Sequence, residues 1–179
     1  MENLDDILKI DPDASVRFYK KKEFVQRKGG AKAYSFYVKK GLLRSYIIDS
    51  KGKEHVFMFA SEGWIIADLE AIEFDEPTSL FIDCLEDSEI LIFNKNCFLK
   101  ADLSKEKIVE HLQLLYRRMA KLQRRVLMLM SSPAIDRYTH FVSAYPELPQ
   151  RIPQHMIASY LGITPQALST IRRKIAESK

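Results

Sequence analysis

Seven apolar residues within residues 105–130 constrain this chain most, because they follow one another at alternating steps of four and three. This is the 3.5-residue repeat of a coiled-coil seam, and it continues for three heptads without Gly or Pro. The alternative is a single amphipathic helix on its own domain's core, but a straight helix of period 3.6 drifts off a strict heptad stripe over this length. A second apolar set widens the face. We therefore predict a central helix that pairs with a second copy and also packs against its own chain. The predicted seam residues are Ile108, Leu112, Leu115, Met119, Leu122, Val126 and Leu129.

Charge is distributed unevenly along the chain. The 179 residues are 46% hydrophobic and 29% charged, which suits one large folded domain or two small ones around the helix. Residues 1–103 hold 15 Lys and Arg against 19 Asp and Glu, whereas residues 104–179 hold 13 against 5. The basic C-terminal half predicts a polyanionic partner. No signal peptide or membrane span is recognisable, so we expect a cytoplasmic protein with no membrane partner.

The segment before the helix has a β pattern. Short runs rich in aromatic and β-branched residues alternate with turn residues such as Gly29-Gly30 and Lys40-Gly41. The predicted strands are residues 24–25, 34–38, 42–48, 54–59, 80–84 and 89–93, and residues 65–73 are read as a short interrupting helix. Another helix is predicted to begin near Cys97. Strands at this spacing indicate an antiparallel sandwich or jelly roll.

The segment after the central helix is helical. Ser132-Pro133 reads as an N-cap followed by a proline at the first helical position. The chain is therefore predicted to be an α+β protein. Its parts are an N-terminal antiparallel β-roll (residues 1–103), a dimerisation helix (residues 104–131) and a C-terminal helical domain (residues 132–179).

Residues 154–175 carry the functional motif. Apolar residues mark the inner faces of two helices, Gly162 sits where a tight turn needs a positive φ, and Thr164-Pro165 caps the second helix. This order is the helix-turn-helix pattern, and the alternative is an ordinary helical hairpin docked in a core. The outer faces hold side chains suited to base edges and phosphates. The predicted DNA-binding residues are His155, Thr164, Gln166, Ser169, Thr170, Arg172, Arg173 and Lys174.

As a whole, the chain resembles the cyclic-AMP receptor protein / fumarate-nitrate regulator (Crp/Fnr) family of bacterial transcription factors. The resemblance rests on the β-roll run SFYVKKGLLRSYIIDSKGKEHVFMFASEGWI, the dimerising helix, and then the run IPQHMIASYLGITPQALSTIRRKI. It implies a homodimer whose paired helix-turn-helix units read a two-fold symmetric site in double-stranded DNA. RNA polymerase is a further candidate partner.

The sequence departs from the family pattern in the sensor half. Members that bind a cyclic nucleotide hold its phosphate on two turns, and the corresponding residues resemble Ala67-Asp68-Leu69 and Thr78-Ser79-Leu80. The phosphate-binding arginine is missing, and no Lys or Arg occurs between Lys53 and Lys95, where eleven acids do. We therefore expect no cyclic-nucleotide binding, and the effector is unknown. The candidate effector pocket is Ala67, Asp68, Leu69, Thr78 and Ser79. Relatives also continue into a β-hairpin wing, which we expect to be absent because this sequence stops at Lys179.

No set of residues predicts catalysis, a cofactor or a metal. The β segment has one histidine, His55, too few for a cupin-type metal site, and no Ser/His/Asp or Cys/His motif is recognisable. The cysteines, Cys84 and Cys97, are too few for an iron–sulfur cluster and are read as core residues. The alternative function is a ligand-binding or protein-interaction dimer with a vestigial DNA module.

Overall fold

The chain divides into two compact units, residues 1–101 and 102–179. The computed structural model describes residue 11, residues 13–94 and residues 104–177. Cys97 and the helix predicted to begin near it lie outside these residues. Of the two cysteines, Cys84 is buried as predicted.

The N-terminal unit is a β-roll of two four-stranded antiparallel sheets. The described residues form β1 (Ser15–Tyr19), β2 (Phe24–Gln26), β3 (Ser35–Lys40), β4 (Leu43–Ile48), β5 (Glu54–Ala60), β6 (Ile65–Ala67), α1 (Leu69–Phe74), β7 (Phe81–Cys84) and β8 (Ser88–Phe93). One sheet has the order β1-β8-β3-β6 and the other the order β2-β7-β4-β5. The architecture confirms the predicted fold class.

The core of this unit lies between the two sheets. Strands β3 to β8 supply its buried residues, and in β3 and β7 these are alternate residues, because successive side chains of a strand point to opposite faces. In one sheet Phe36 lies opposite both Ile66 and Ile92, and in the other Leu43 lies opposite Ala60 and Cys84. The buried cluster comprises Phe36, Val38, Leu43, Ala60, Ile66, Ile82, Cys84 and Ile90.

The prediction of a helix over residues 65–73 is wrong in its first half. Ile65 and Ile66 pair with Tyr37 and Phe36 and form β6, and the helix begins only at Leu69. Asp68 sets that boundary, because its carboxylate accepts a hydrogen bond from the Ala71 N–H at 3.4 Å and so caps the helix.

The C-terminal unit is helical. Residues 104–177 form α2 (Lys105–Ser131), α3 (Ala134–Ala144), α4 (Leu148–Arg151), α5 (Gln154–Tyr160) and α6 (Pro165–Glu177). Helix α3 begins one residue later than predicted, since Pro133 occupies the cap position and Ser132 ends α2. The short α4 was not predicted. No helix in the described part of the chain is long and apolar enough to cross a membrane.

A buried ion cluster joins three strands of the second sheet. Arg44 on β4 is 5% exposed, and its guanidinium donates to both carboxylate oxygens of Asp83 on β7, at 2.8 and 3.0 Å. A third bond, at 2.5 Å, reaches Glu54 on β5. Burial alone would lower the pKa of Arg44, but these two carboxylates outweigh it and raise the pKa. The guanidinium also lies 4.1 Å from the centre of the Tyr46 ring.

An Arg44 variant should unfold at a lower denaturant concentration than the parent protein. We expect Arg44→Ala to lower the free energy of unfolding by about 3–5 kcal/mol, because it leaves the Asp83 carboxylate buried without its cation. The fluorescence of Trp64, the only tryptophan of the chain, reports the transition in urea. Lys20→Ala is the matched control. It breaks the exposed Lys20–Asp87 pair and should leave the free energy of unfolding nearly unchanged. Equal losses in the two variants would contradict this account.

Candidate nucleic-acid interface

Helices α5 and α6 are connected by a tight turn, which backbone hydrogen bonds stabilise. Gly162 has φ +66°, and the Ile163 N–H donates to the Ala158 carbonyl at 3.0 Å, so α5 ends in a Schellman motif. The Thr164 hydroxyl then accepts from the Ala167 N–H at 3.1 Å and caps α6, with Pro165 as its first residue. Gly162 is required here because residues with a Cβ rarely adopt a positive φ.

The apolar sides of these helices face each other. Ala158 and Leu168 are fully buried where the helices meet, and Ile157, Leu161 and Ile171 surround them. The small Ala158 side chain lets the two backbones approach closely. Helix α3 contacts α6 as well, so three helices share one small core.

The opposite side of α6 is exposed and basic. Helix packing therefore leaves a polar surface for a partner, with Glu177 the only acid on α6. Thr170 donates its hydroxyl to the Gln166 carbonyl at 3.1 Å, which leaves its lone pairs to accept. All eight predicted DNA-binding residues are exposed: His155, Thr164, Gln166, Ser169, Thr170, Arg172, Arg173 and Lys174.

A contact between α2 and α5 was not apparent from the sequence. Arg125 of α2 donates to the Tyr160 carbonyl at 3.2 Å, and its guanidinium lies 4.0 Å from the centre of the Tyr160 ring. Burial raises the pKa of Tyr160 to about 12 and lowers that of Arg125. The pair is 35 residues apart in sequence, so no local pattern could reveal it.

The predicted seam of α2 is exposed in the single chain. None of the helix's residues is buried, although it is 27 residues long. The seven seam residues have exposures between 38% for Leu129 and 65% for Met119. Exposed apolar surface that is contiguous over such a length marks an interaction site.

The two predicted effector turns contact each other. Asp68, 1% exposed, accepts hydrogen bonds from the Ser79 N–H at 2.7 Å, the Leu80 N–H at 2.9 Å and the Ser79 hydroxyl at 3.1 Å. Thr78 is also buried; its hydroxyl donates to the Arg27 carbonyl and accepts from the Gly30 N–H. Of the other two predicted residues, Ala67 is half-buried and Leu69 is 72% exposed.

A cavity of about 1070 Å³ lies beside the turn at Thr78, although none of those five residues lines it. Its wall carries both signs of charge together with aromatic rings. Representative lining residues are Arg17, Tyr19, Arg27, Phe36, Asp75 and Glu76. In the described part of the chain, no group of three or more His, Cys, Asp and Glu side chains is placed to hold a metal ion.

Comparison with known proteins identifies the architecture. Residues 16–102 match the family model of the cyclic nucleotide-binding domain. No curated protein sequence matches the chain.

Solved structures match both units. FixK2 from Bradyrhizobium japonicum has a TM-score of 0.73 at 18% identity, over 92% of this chain and 85% of that one. A transcriptional regulator of the CRP/FNR family from Thermus thermophilus has a TM-score of 0.70 at 16% identity, over 92% and 87%. The c-di-GMP responsive global regulator CLP from Xanthomonas campestris has a TM-score of 0.70 at 17% identity, over 93% and 88%. The chain thus has the fold of Crp/Fnr regulators, which confirms the resemblance found in the sequence.

Substitution of Gly162 should loosen the helix-turn-helix. The backbone at residue 162 is left-handed, a conformation that strains any residue with a Cβ, and the added Cβ would lie 3.4 Å from Leu129 Cδ2, so we expect Gly162→Ala to cost about 1–2 kcal/mol. Gly162→Asn should cost less, because Asn tolerates this conformation better. Thermal unfolding followed by far-UV circular dichroism compares the two. An alanine variant as stable as the parent protein would show that the turn does not depend on glycine.

Proposed function

We propose that this chain, which has the fold of the Crp/Fnr regulators, is a transcription regulator that binds DNA sequence-specifically as a homodimer. The main support for the proposal is that the polar side of α6 is exposed. Leu168 and Ile171 are buried, while Gln166, Ser169 and Arg173 face outward. A helix that presents hydrogen-bonding side chains beside cations is suited to the major groove.

Exposure of the α2 seam supports the dimer. A coiled coil of two copies would cover the seven apolar residues, and each should contribute about 1.5–3 kcal/mol when fully buried. A helix of 27 residues is about 40 Å long, so the seam is long enough for a stable pair.

The charges beside the seam favour a parallel pair. With Ile108 at a d position, the g positions carry His111, Arg118 and Arg125, and the e positions carry no charge. In an antiparallel pair g positions face g positions, which would bring cations together. In a parallel pair g faces e, and no like charges meet. Parallel helices place the two copies of α6 at one end of the dimer, as a two-fold symmetric site requires.

The polar contacts of the β-roll argue against a cyclic nucleotide as effector. The Ser79 and Leu80 donors already bind the Asp68 carboxylate. Among the described residues of the unit, the buried arginine is Arg44, and Asp83 and Glu54 already occupy its guanidinium. A phosphodiester would therefore have to displace an internal carboxylate and would meet no available buried cation.

Salt-dependent binding to duplex DNA tests the proposed function. Lys and Arg contacts to phosphate release counterions, so the logarithm of the binding constant should fall linearly with the logarithm of the salt concentration. The rival function, a ligand-binding or protein-interaction dimer with a vestigial DNA module, predicts no duplex binding at physiological salt.

A charge placed in the seam should separate the dimer. Leu115→Asp introduces a buried carboxylate without a partner at a d position, so we expect monomers or unfolded protein in analytical ultracentrifugation. Gln113→Asp adds the same charge to the exposed side of the same helix and should remain a dimer. If both variants sediment as dimers, the seam is not the interface.

Two substitutions on α6 should have different effects on DNA. Gln166 lies near the N-terminal end of the helix, where a side chain can read an adenine edge. We expect Gln166→Ala to cost about 1–3 kcal/mol on the preferred site and to relax the preference at one base pair of each half-site.

Lys174→Ala is the matched comparison. It should weaken binding to all duplexes alike and make the salt slope shallower by about one unit per phosphate contact. Titrations of preferred and scrambled duplexes at several salt concentrations give both quantities. If Gln166→Ala lowers affinity equally for every sequence, α6 does not read bases through Gln166.

Cyclic nucleotides should not bind the purified protein. For cyclic AMP, cyclic GMP and cyclic di-GMP, we expect isothermal titration calorimetry to give dissociation constants no tighter than about 1 mM, because a phosphate at the two predicted effector turns would have no buried cation available. Saturable binding in the micromolar range by any of the three would contradict this expectation.

A further inference from the structure

The joint between α2 and α3 is two residues long and consists of Ser132, the C-cap of α2, and Pro133, the N-cap of α3. Ser132 and Pro133 are both extended, with ψ values of 144° and 151°. Such residues can change their dihedral angles and act as a hinge unless contacts cross the joint. A free hinge would let the recognition helices of a dimer swing independently of the seam.

Contacts from Arg125 cross the joint. Arg125 lies in α2, six residues before its end, and reaches Tyr160, the last residue of α5. The guanidinium donates to the Tyr160 carbonyl at 3.2 Å and covers the ring with 4.0 Å to its centre. The Arg125 side chain therefore contacts both the backbone and the ring of Tyr160, and Tyr160 leads into the turn before α6.

Other contacts support the same arrangement. The Tyr160 ring packs 5.4 Å from that of Phe141 in α3, and Phe141 packs 5.8 Å from Tyr145. The Arg137 guanidinium donates to the Leu129 carbonyl at 3.2 Å, so α3 is also tied to the last turns of α2. Together these contacts link α2 to α3 and α5 across the joint.

We propose that Arg125 is a positioning residue that fixes α6 relative to the seam helix and so sets the spacing of the two half-sites that the dimer accepts. The inference rests on the proposed function. Arg125 is next in sequence to the seam residue Val126, and it contacts the helix-turn-helix directly. Because Arg125 lies on α2 and contacts the residue before the turn, the pairing of the two seam helices would determine the distance between the two copies of α6.

Arginine suits this role better than lysine. Its planar guanidinium can stack on a ring and donate in its own plane at the same time, whereas an ammonium is a compact point charge without a plane. Arg125→Lys therefore keeps the positive charge but removes the planar group that stacks on the Tyr160 ring. Arg124→Lys is the matched control, because Arg124 is exposed and one residue away on the same helix.

The experiment measures spacing preference with the full-length protein. The duplexes carry the selected half-site once, or twice as an inverted repeat whose spacer varies in single base pairs. Each added base pair rotates the second half-site by about 35° around the DNA axis. For the parent protein and Arg124→Lys, we expect affinity to fall about tenfold or more for each base pair away from the best spacer.

For Arg125→Lys, the loss of affinity for each base pair away from the best spacer should be less than about threefold. Its affinity for the single half-site should stay within about twofold of the parent value. Tyr160→Leu, which removes the ring, should reproduce this result, and Arg125→Lys decides alone if Tyr160→Leu does not fold. An unchanged spacing profile in Arg125→Lys would overturn the proposal, as would an equal loss on every duplex including the single half-site. Failure of the parent protein to bind any duplex would instead refute the proposed function, on which the proposal rests.

Discussion

The apolar seam of α2 is the constraint on which the rest of the account depends. A row of seven large apolar side chains that are 38–65% exposed in the single chain has a high free energy in water, and a second copy of the same helix would relieve it most directly. Without that pairing, the polar side of α6 is one short surface with few contacts. In the proposed dimer, two such surfaces would lie at a fixed separation, and binding of the second half-site would become intramolecular once the first is bound.

Buried charge in the β-roll is paired within the β-roll. Arg44 holds Asp83 and Glu54, and Asp68 binds the donors of the turn that begins at Thr78. Both arrangements stabilise the sheets, and both occupy groups that an anionic ligand would need. The domain thus has the cyclic nucleotide-binding fold, and these buried donors contact the protein's own carboxylates.

Local patterns predicted what depends on local chemistry. The heptad row, the cap at Thr164 and the positive φ at Gly162 follow from spacing and residue type, and the structure contains the helix, the cap and the turn. Strand β1 was not among the predicted strands, because its apolar residues Val16 and Phe18 are exposed at a sheet edge and its residues do not alternate between buried and exposed. The Arg44–Asp83 and Arg125–Tyr160 pairs could not be predicted, since their partners are 39 and 35 residues apart and meet only after folding.

Selection of bound fragments from a pool of random duplex DNA by the purified protein tests the central claim most directly. A dimer that reads DNA through two copies of α6 should enrich inverted repeats whose half-site centres lie about one helical turn apart, near 34 Å. Enrichment of a single unrepeated site would contradict the paired seam as the basis of recognition. No enrichment of any sequence would contradict the assignment of α6 to the major groove.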